Sequence, residues 1–202
     1  MNQFRLYSSN INQRYISEAV KVLEDGGVVL YPTDSVYALG CSALDNQAIE
    51  RLCRFKGVDP RKQTLSIICS DLSMASRYAR IDNEAYRILH RNLPGAFTFV
   101  LPAATTLPKV FKGRKTVGIR IPDCPIAVEL AASLGHPLLT TSAVDAEHFD
   151  MYFAEIADSH EGICDLAIEE ADAVPDQALS TVVDLTDSSE PVIIRQGRGE
   201  LA

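Results

Sequence analysis

The chain has 202 residues, 47% of them hydrophobic and 23% charged, with a formal net charge of −8. That length and balance suit one globular domain with a core large enough to fold unaided, and no internal repeat or low-complexity tract interrupts it. The opening residues MNQFRLYSSN lack an apolar signal stretch, and no run approaches the roughly 20 apolar residues of a membrane span, so a soluble, cytoplasmic protein with no membrane partner is expected.

In chain order, "INQRYISEAVKVLEDGG" places Ile16, Ala19, Val20 and Leu23 at i, i+3, i+4 and i+7, and Gly26–Gly27 stops the helix they predict. Residues 28–31 follow as a buried strand whose carboxyl end turns abruptly into Pro32, Thr33, Asp34 and Ser35. In an open α/β sheet that rim is where ligands bind. A helix over 45–55 buries Ile49, Leu52 and Cys53, and "TLSIIC" (64–69) is a short buried strand. Amphipathic helices are predicted over 72–79 and 83–92. The strands "FTFVL" (97–101), "TVGIRI" (116–121) and "PLLTT" (137–141) follow, with a helix over 125–134. Asp145 to Asp176 reads as an acidic, solvated surface segment, and "STVVDL" (180–185) and "PVIIR" (191–195) close the pattern. Strands alternating with helices predict a single-domain α/β fold, a twisted mixed sheet with flanking helices.

The familiar nucleotide signatures are missing. "GRKTVG" (113–118) is too short for a P-loop, and "RQGRGE" (195–200) opens no helix as a dinucleotide fingerprint must. There is no GxSxG elbow, and Ser142 with His136 or His148 has no turn signature around it to suggest a hydrolase. The five cysteines form no CxxC or Cys/His cluster, so no metal site is expected, and Cys69 in "LSIIC" reads as a small buried hydrophobe. What recurs is a strand end carrying hydroxyls or an arginine: Thr33 and Ser35, Arg120, Thr140 to Ser142, Ser180 and Thr181, Arg195. Singly each is a capped strand or turn. Together they point to an anion-binding pocket, because a guanidinium at a fixed strand end presents a planar fork to carboxylate or phosphate.

Charge is unevenly divided. Residues 1–120 hold 17 Lys and Arg against 10 Asp and Glu, a balance of +7, whereas residues 121–202 hold 2 against 17, a balance of −15. A basic amino-terminal portion can attract nucleotide or RNA, or can simply be a set of scattered solvated arginines.

The motifs "YPTDSVYALG", "PGAFTFVL" (94–101), "VGIRIP" (117–122), "TTSA" (140–143) and "STVVDL", in that order and spacing, resemble those of the threonylcarbamoyl-AMP synthase family, the YrdC/YciO-like proteins, and most resemble its YciO branch. The resemblance covers about residues 12–198, one domain. It implies a YrdC-like fold with a concave binding surface. It further implies an activity that joins L-threonine, bicarbonate and ATP, with magnesium, into threonylcarbamoyl-adenylate for tRNA modification, and an association with double-stranded RNA. By position in the motifs, Lys56 and Ser142 are the implied catalytic residues. Thr33, Ser35 and Tyr37 would line the threonine end, although Tyr37 reads equally as a core residue with a satisfied hydroxyl. Arg120, Thr140, Ser180 and Arg195 would border the ligand cavity. Two positions depart from the family pattern. Val58 stands where a Lys-x-Arg pair has its arginine, with Arg61 or Lys62 nearby as a replacement cation, and Val144 stands where a Ser-x-Asn pair has its asparagine. The resemblance therefore leaves two readings: a synthase, or a nucleotide- or double-stranded-RNA-binding paralogue with little or no synthase activity.

Overall fold

The computed structural model describes residues 1–59, 65–104, 115–144, 151–172 and 178–202. The chain begins with strand β1 (Asn2–Leu6), helix α1 (Gln13–Glu24), β2 (Val29–Tyr31), β3 (Ala38–Ser42) and α2 (Asn46–Phe55). It continues through β4 (Ser66–Ile68), α3 (Leu72–Ala75), α4 (Asn83–Asn92), β5 (Phe97–Pro102) and β6 (Thr116–Arg120). The last part holds α5 (Pro125–Leu134), β7 (Leu138–Ser142), α6 (Phe153–Ser159), β8 (Leu166–Glu170), β9 (Thr181–Asp184) and β10 (Val192–Arg195). Among the described residues the strands form one mixed sheet in the order β1-β8-β2-β3-β7-β4-β6-β5-β9-β10, a single-domain α/β fold.

The helices start where the local chemistry allows. Asn12 caps α1 by accepting from the Arg14 amide at 3.0 Å, and Asp45 caps α2 by accepting from Gln47 and Ala48. Pro125 opens α5, and Gly135 ends it in the left-handed region at φ 75°. Ile16, Ala19, Val20 and Leu23 of α1 are buried, as their spacing predicts.

Two apolar clusters lie on opposite faces of the sheet. One face, with Leu39, Ile67, Phe99, Ile119 and Val183, packs against α2, α3, α4 and α6. The other packs against α1 and α5 through Val29, Tyr31, Ala38, Ile68, Leu138, Leu166 and Ile168. Leu23 of α1 and Leu130 of α5 both belong to that cluster, each fully buried.

The sequence pattern missed four elements. β8 lies inside the acidic stretch read as solvated surface, yet Leu166, Ala167 and Ile168 are buried between β1 and β2. That correction has a simple cause: Asp165, Glu169 and Glu170 mask a three-residue apolar core, Leu166 to Ile168. β1 is polar, because it is an edge strand with Arg5 paired to Glu169, and it extends the sheet ahead of residue 12. β3 and α6 were too short and too mixed to register. The helix expected over 72–79 is helical only to Ala75.

Candidate functional site

Alternation along the strands builds the site. β5 sends Phe97, Phe99 and Leu101 into the core, so Thr98 and Val100 point to the other face. By the same parity β6 presents Gly118 and Arg120 there, β7 presents Thr140 and Ser142, and β9 presents Val182. The register aligns them: Ser66 of β4 lies between Thr140 and Gly118, and Gly118 lies opposite Val100. α1 and α5 cover this face over β1, β8, β2 and β3 and at Leu138 of β7 and Ile68 of β4. Beyond them lies a cavity of about 270 Å³ whose lining takes in Ser66, Thr98, Val100, Arg120, Thr140, Ser142 and Val182.

The floor is made of small residues for a reason. A Cβ on Gly118 would sit 2.6 Å from Ser66 Oγ and 3.1 Å from Thr98 Cγ2, so a side chain there would displace two residues of the cavity lining. Three cations line the cavity, Lys56, Arg120 and Arg195, and among the described residues no carboxylate does.

Arg120 is buried, with 6% of its surface exposed. Its Nη2 donates to Asp34 Oδ1 at 3.2 Å and to Ser35 Oγ at 3.1 Å, while its Nε is buried with no hydrogen-bond partner among the described residues. Asp34 also accepts from the Asp123 amide at 2.8 Å. Burial pushes the Asp34 carboxyl upward, and the Arg120 charge opposes that rise. Thr33 Oγ1 donates to the Val36 carbonyl at 2.7 Å and accepts from the Ser35 amide. The "TDS" hydroxyls are thus spent inside the loop and on Arg120. Thr33 and Ser35 position the guanidinium rather than line the cavity.

Arg195 donates from Nη2 to the Ser180 carbonyl at 2.8 Å, and Ser180 Oγ lies 3.0 Å from Thr98 Oγ1. Burial first, and then the like charge of Arg120, pull its pKa down. Arg120 and Arg195 both line the cavity, and among the described residues only Arg120 of the two is ion-paired to a carboxylate, an arrangement that favours an anion between them.

The structure brings Lys56, which the family resemblance implied, to one cavity with the strand-end residues Arg120, Thr140, Ser142, Ser180 and Arg195. It places Tyr37 elsewhere. That hydroxyl accepts from the Glu170 amide at 3.1 Å and the ring packs on Phe153, the core alternative of its two readings. Arg61 lies outside the described residues. Val58 lines the cavity, whereas Val144 is buried in the core at 7% exposure. Sequence reasoning missed Thr98, Ser66 and the structural partner Asp34. Thr98 was findable as the one hydroxyl alternating with phenylalanines in "FTFVL". All five cysteines are free and buried, and burial pushes Cys69 and Cys124 up to about 12.

A cationic, hydroxyl-lined cavity on the uncovered half of a mixed α/β sheet is what this fold presents. The Sua5/YciO/YrdC family model, described as "Telomere recombination", matches residues 21–197, and the chain belongs to that family. The Escherichia coli K12 protein YciO is 40% identical over 202 residues, covering 98% of this chain and 96% of that protein. The crystal structure of E. coli YciO superimposes with a TM-score of 0.89 over 99% of this chain and 98% of that one, at 39% identity. A Pyrococcus abyssi Sua5 structure, "P. abyssi Sua5 complexed with L-threonine", gives a TM-score of 0.83 at 28% identity, covering 98% of this chain and 58% of that one. The threonylcarbamoyl-AMP synthase of Halorhodospira halophila is 37% identical over 130 residues, 63% of this chain and 68% of that enzyme. No helix among the described residues is long and apolar enough to cross a membrane.

Proposed function

We propose that the cavity binds ATP and L-threonine and forms threonylcarbamoyl-adenylate, the step that precedes threonylcarbamoyl transfer to tRNA. The observation that carries this reading is the cationic lining: Lys56, Arg120 and Arg195 line one space that, among the described residues, no carboxylate lines. The relatives support it, since one is a threonylcarbamoyl-AMP synthase and another was solved with L-threonine.

The chemistry asks for such a lining. The threonine amine adds to bicarbonate with loss of water to give a carbamate. A carbamate oxygen then attacks the α-phosphorus of ATP, and the bond to pyrophosphate breaks. Two anions must meet, and a third leaves. Fixed cations and hydroxyl donors lower that barrier by stabilising charge where it develops. Arg120 is held by Asp34 and Ser35 and needs no reorganisation, while Ser142 and Thr140 supply O–H donors at the same wall. Among the described residues the cavity lining supplies no carboxylate, so those residues make no magnesium site of their own. The test is pyrophosphate release that requires threonine, bicarbonate and ATP together; release independent of threonine overturns the reading.

A second reading has its own observation. Val58 lines the cavity as an apolar group, and Val144 is buried in the core. Both fit a nucleotide- or double-stranded-RNA-binding paralogue with little synthase activity. Duplex RNA bound with a steep inverse dependence on salt, in the absence of turnover, is the outcome that favours it.

A further inference from the structure

Tyr31, the last residue of β2, is fully buried in the cluster under α1 and α5, where a phenylalanine would fill the same space. Its hydroxyl leaves that cluster. It donates to Thr140 Oγ1 at 2.8 Å, and Thr140 lines the cavity. The path runs across β3. Tyr31 pairs with Ala38, and Gly40, two residues on, pairs with Thr140. The ring crosses above Gly40, where a Cβ would lie 2.7 Å from Tyr31 Cε1 and 2.9 Å from its hydroxyl oxygen. Only glycine at position 40 lets the phenol reach the next strand.

A threonine hydroxyl has one hydrogen to give and two lone pairs to receive with. Tyr31 occupies a lone pair, and no described residue accepts the Thr140 hydrogen. Burial pushes the Tyr31 phenol well above its ordinary range, so it remains a donor at every working pH. We propose that Tyr31 is a positioning residue for the cavity: by donating to Thr140 Oγ1 it commits the Thr140 hydroxyl to donate into the cavity, toward an acceptor-only oxygen of phosphate or carboxylate. This inference rests on the reading of the cavity as an ATP site. It goes further by making the Thr140 wall selective for groups that carry no hydrogen.

The test titrates ATP, and separately inorganic pyrophosphate, into the wild-type chain, Tyr31→Phe, Thr140→Val and the double variant. Tyr31→Phe is expected to bind roughly three- to tenfold more weakly, the range of one lost hydrogen bond, with its melting temperature little changed. The double variant is expected to bind no more weakly than Thr140→Val alone, because Tyr31 acts only through Thr140. A role confined to packing leaves affinity unmoved. Wild-type affinity in Tyr31→Phe, or additive losses in the double variant, overturns the proposal. So does wild-type affinity in Thr140→Val, which probes the same contact if Tyr31→Phe folds poorly. A wild-type chain that binds pyrophosphate but not ATP removes the nucleotide reading while the Tyr31 comparison still stands. Binding of neither probe removes both.

Discussion

Where α1 and α5 lie on the sheet, the residues facing them are Val29, Ala38, Leu138, Leu166 and Ile168. Farther along the same face the strands present Ser66, Thr98, Thr140 and Arg120 to a cavity. The backbone is the same kind of pleated surface in both places, so the difference lies in what is stacked above it. Under the helices, apolar side chains gain from leaving water, about 25 cal/mol per Å². Beyond them the described cavity lining mixes apolar side chains such as Val100 and Val182 with small, hydroxylated and cationic ones, and Leu52 and Cys53 of α2 border it too. The open half trades packing for chemistry. Arg120 complicates the contrast, because it belongs to the open half and yet is as buried as the core.

Four experiments break or sharpen that division. Arg120→Ala is expected to have the largest effect, since it strips a buried Asp34 of its cation: about 3–5 kcal/mol of stability in urea denaturation, together with lost anion binding in calorimetric titration. The buried ion pair couples stability to ligand affinity. A stable Arg120→Ala that merely fails to bind ligand would restore the simpler division.

Leu130→Ala, at the fully buried meeting of α5 with the sheet, is expected to cost about 2–5 kcal/mol and to leave ligand affinity unaltered. An equal fall in affinity would show that the two halves are mechanically coupled.

Val144→Asn probes the boundary on the opposite face. Burying an amide in that core is expected to cost about 1–3 kcal/mol with no gain in threonine-dependent pyrophosphate release. Faster release at unchanged stability would place Val144 at the cavity wall.

The smallest effect is a pH slope. His160 is buried on the packed face, its Nδ1 2.7 Å from the Ile156 carbonyl, and burial first, with the nearby charge of Lys56, holds its pKa down. Unfolded, it takes a proton near its ordinary value of about 6.5. Between that value and its lower folded value the unfolded chain binds the extra proton. Stability therefore falls as pH drops below about 6.5, by at most about 1.4 kcal/mol per pH unit for one group. Urea midpoints at pH 7.5 and 5.5 check this, and the decline is expected to flatten in His160→Gln.

Much of this architecture was readable beforehand. The 3.6-residue spacing of α1 and the apolar runs of β5, β6 and β7 depend on neighbours in sequence, and the structure places them where the pattern did, within a residue or two at their ends. β8 was not readable, because its five residues sit among carboxylates and become a strand only by pairing with β1 and β2. The cationic strand ends Arg120 and Arg195 were readable as chemistry. Their convergence was not, since β6 and β10 are separated by β5 and β9 in the sheet.

By itself the sequence determined the α/β class, the helix faces and a set of polar strand ends, because periodicity and residue chemistry are local. Its motifs also pointed to the family. Tertiary structure alone decided which hydroxyls meet a ligand and which are consumed inside the protein. Thr33 and Ser35 looked like the mouth of a pocket and became the brace of Arg120, while Tyr37 became core. Thr98, flanked by phenylalanines, became cavity wall. A hydroxyl's role depends on where its partner lies, and for Thr98 that partner, Ser180, is 82 residues away. No local pattern encodes that distance; strand register does.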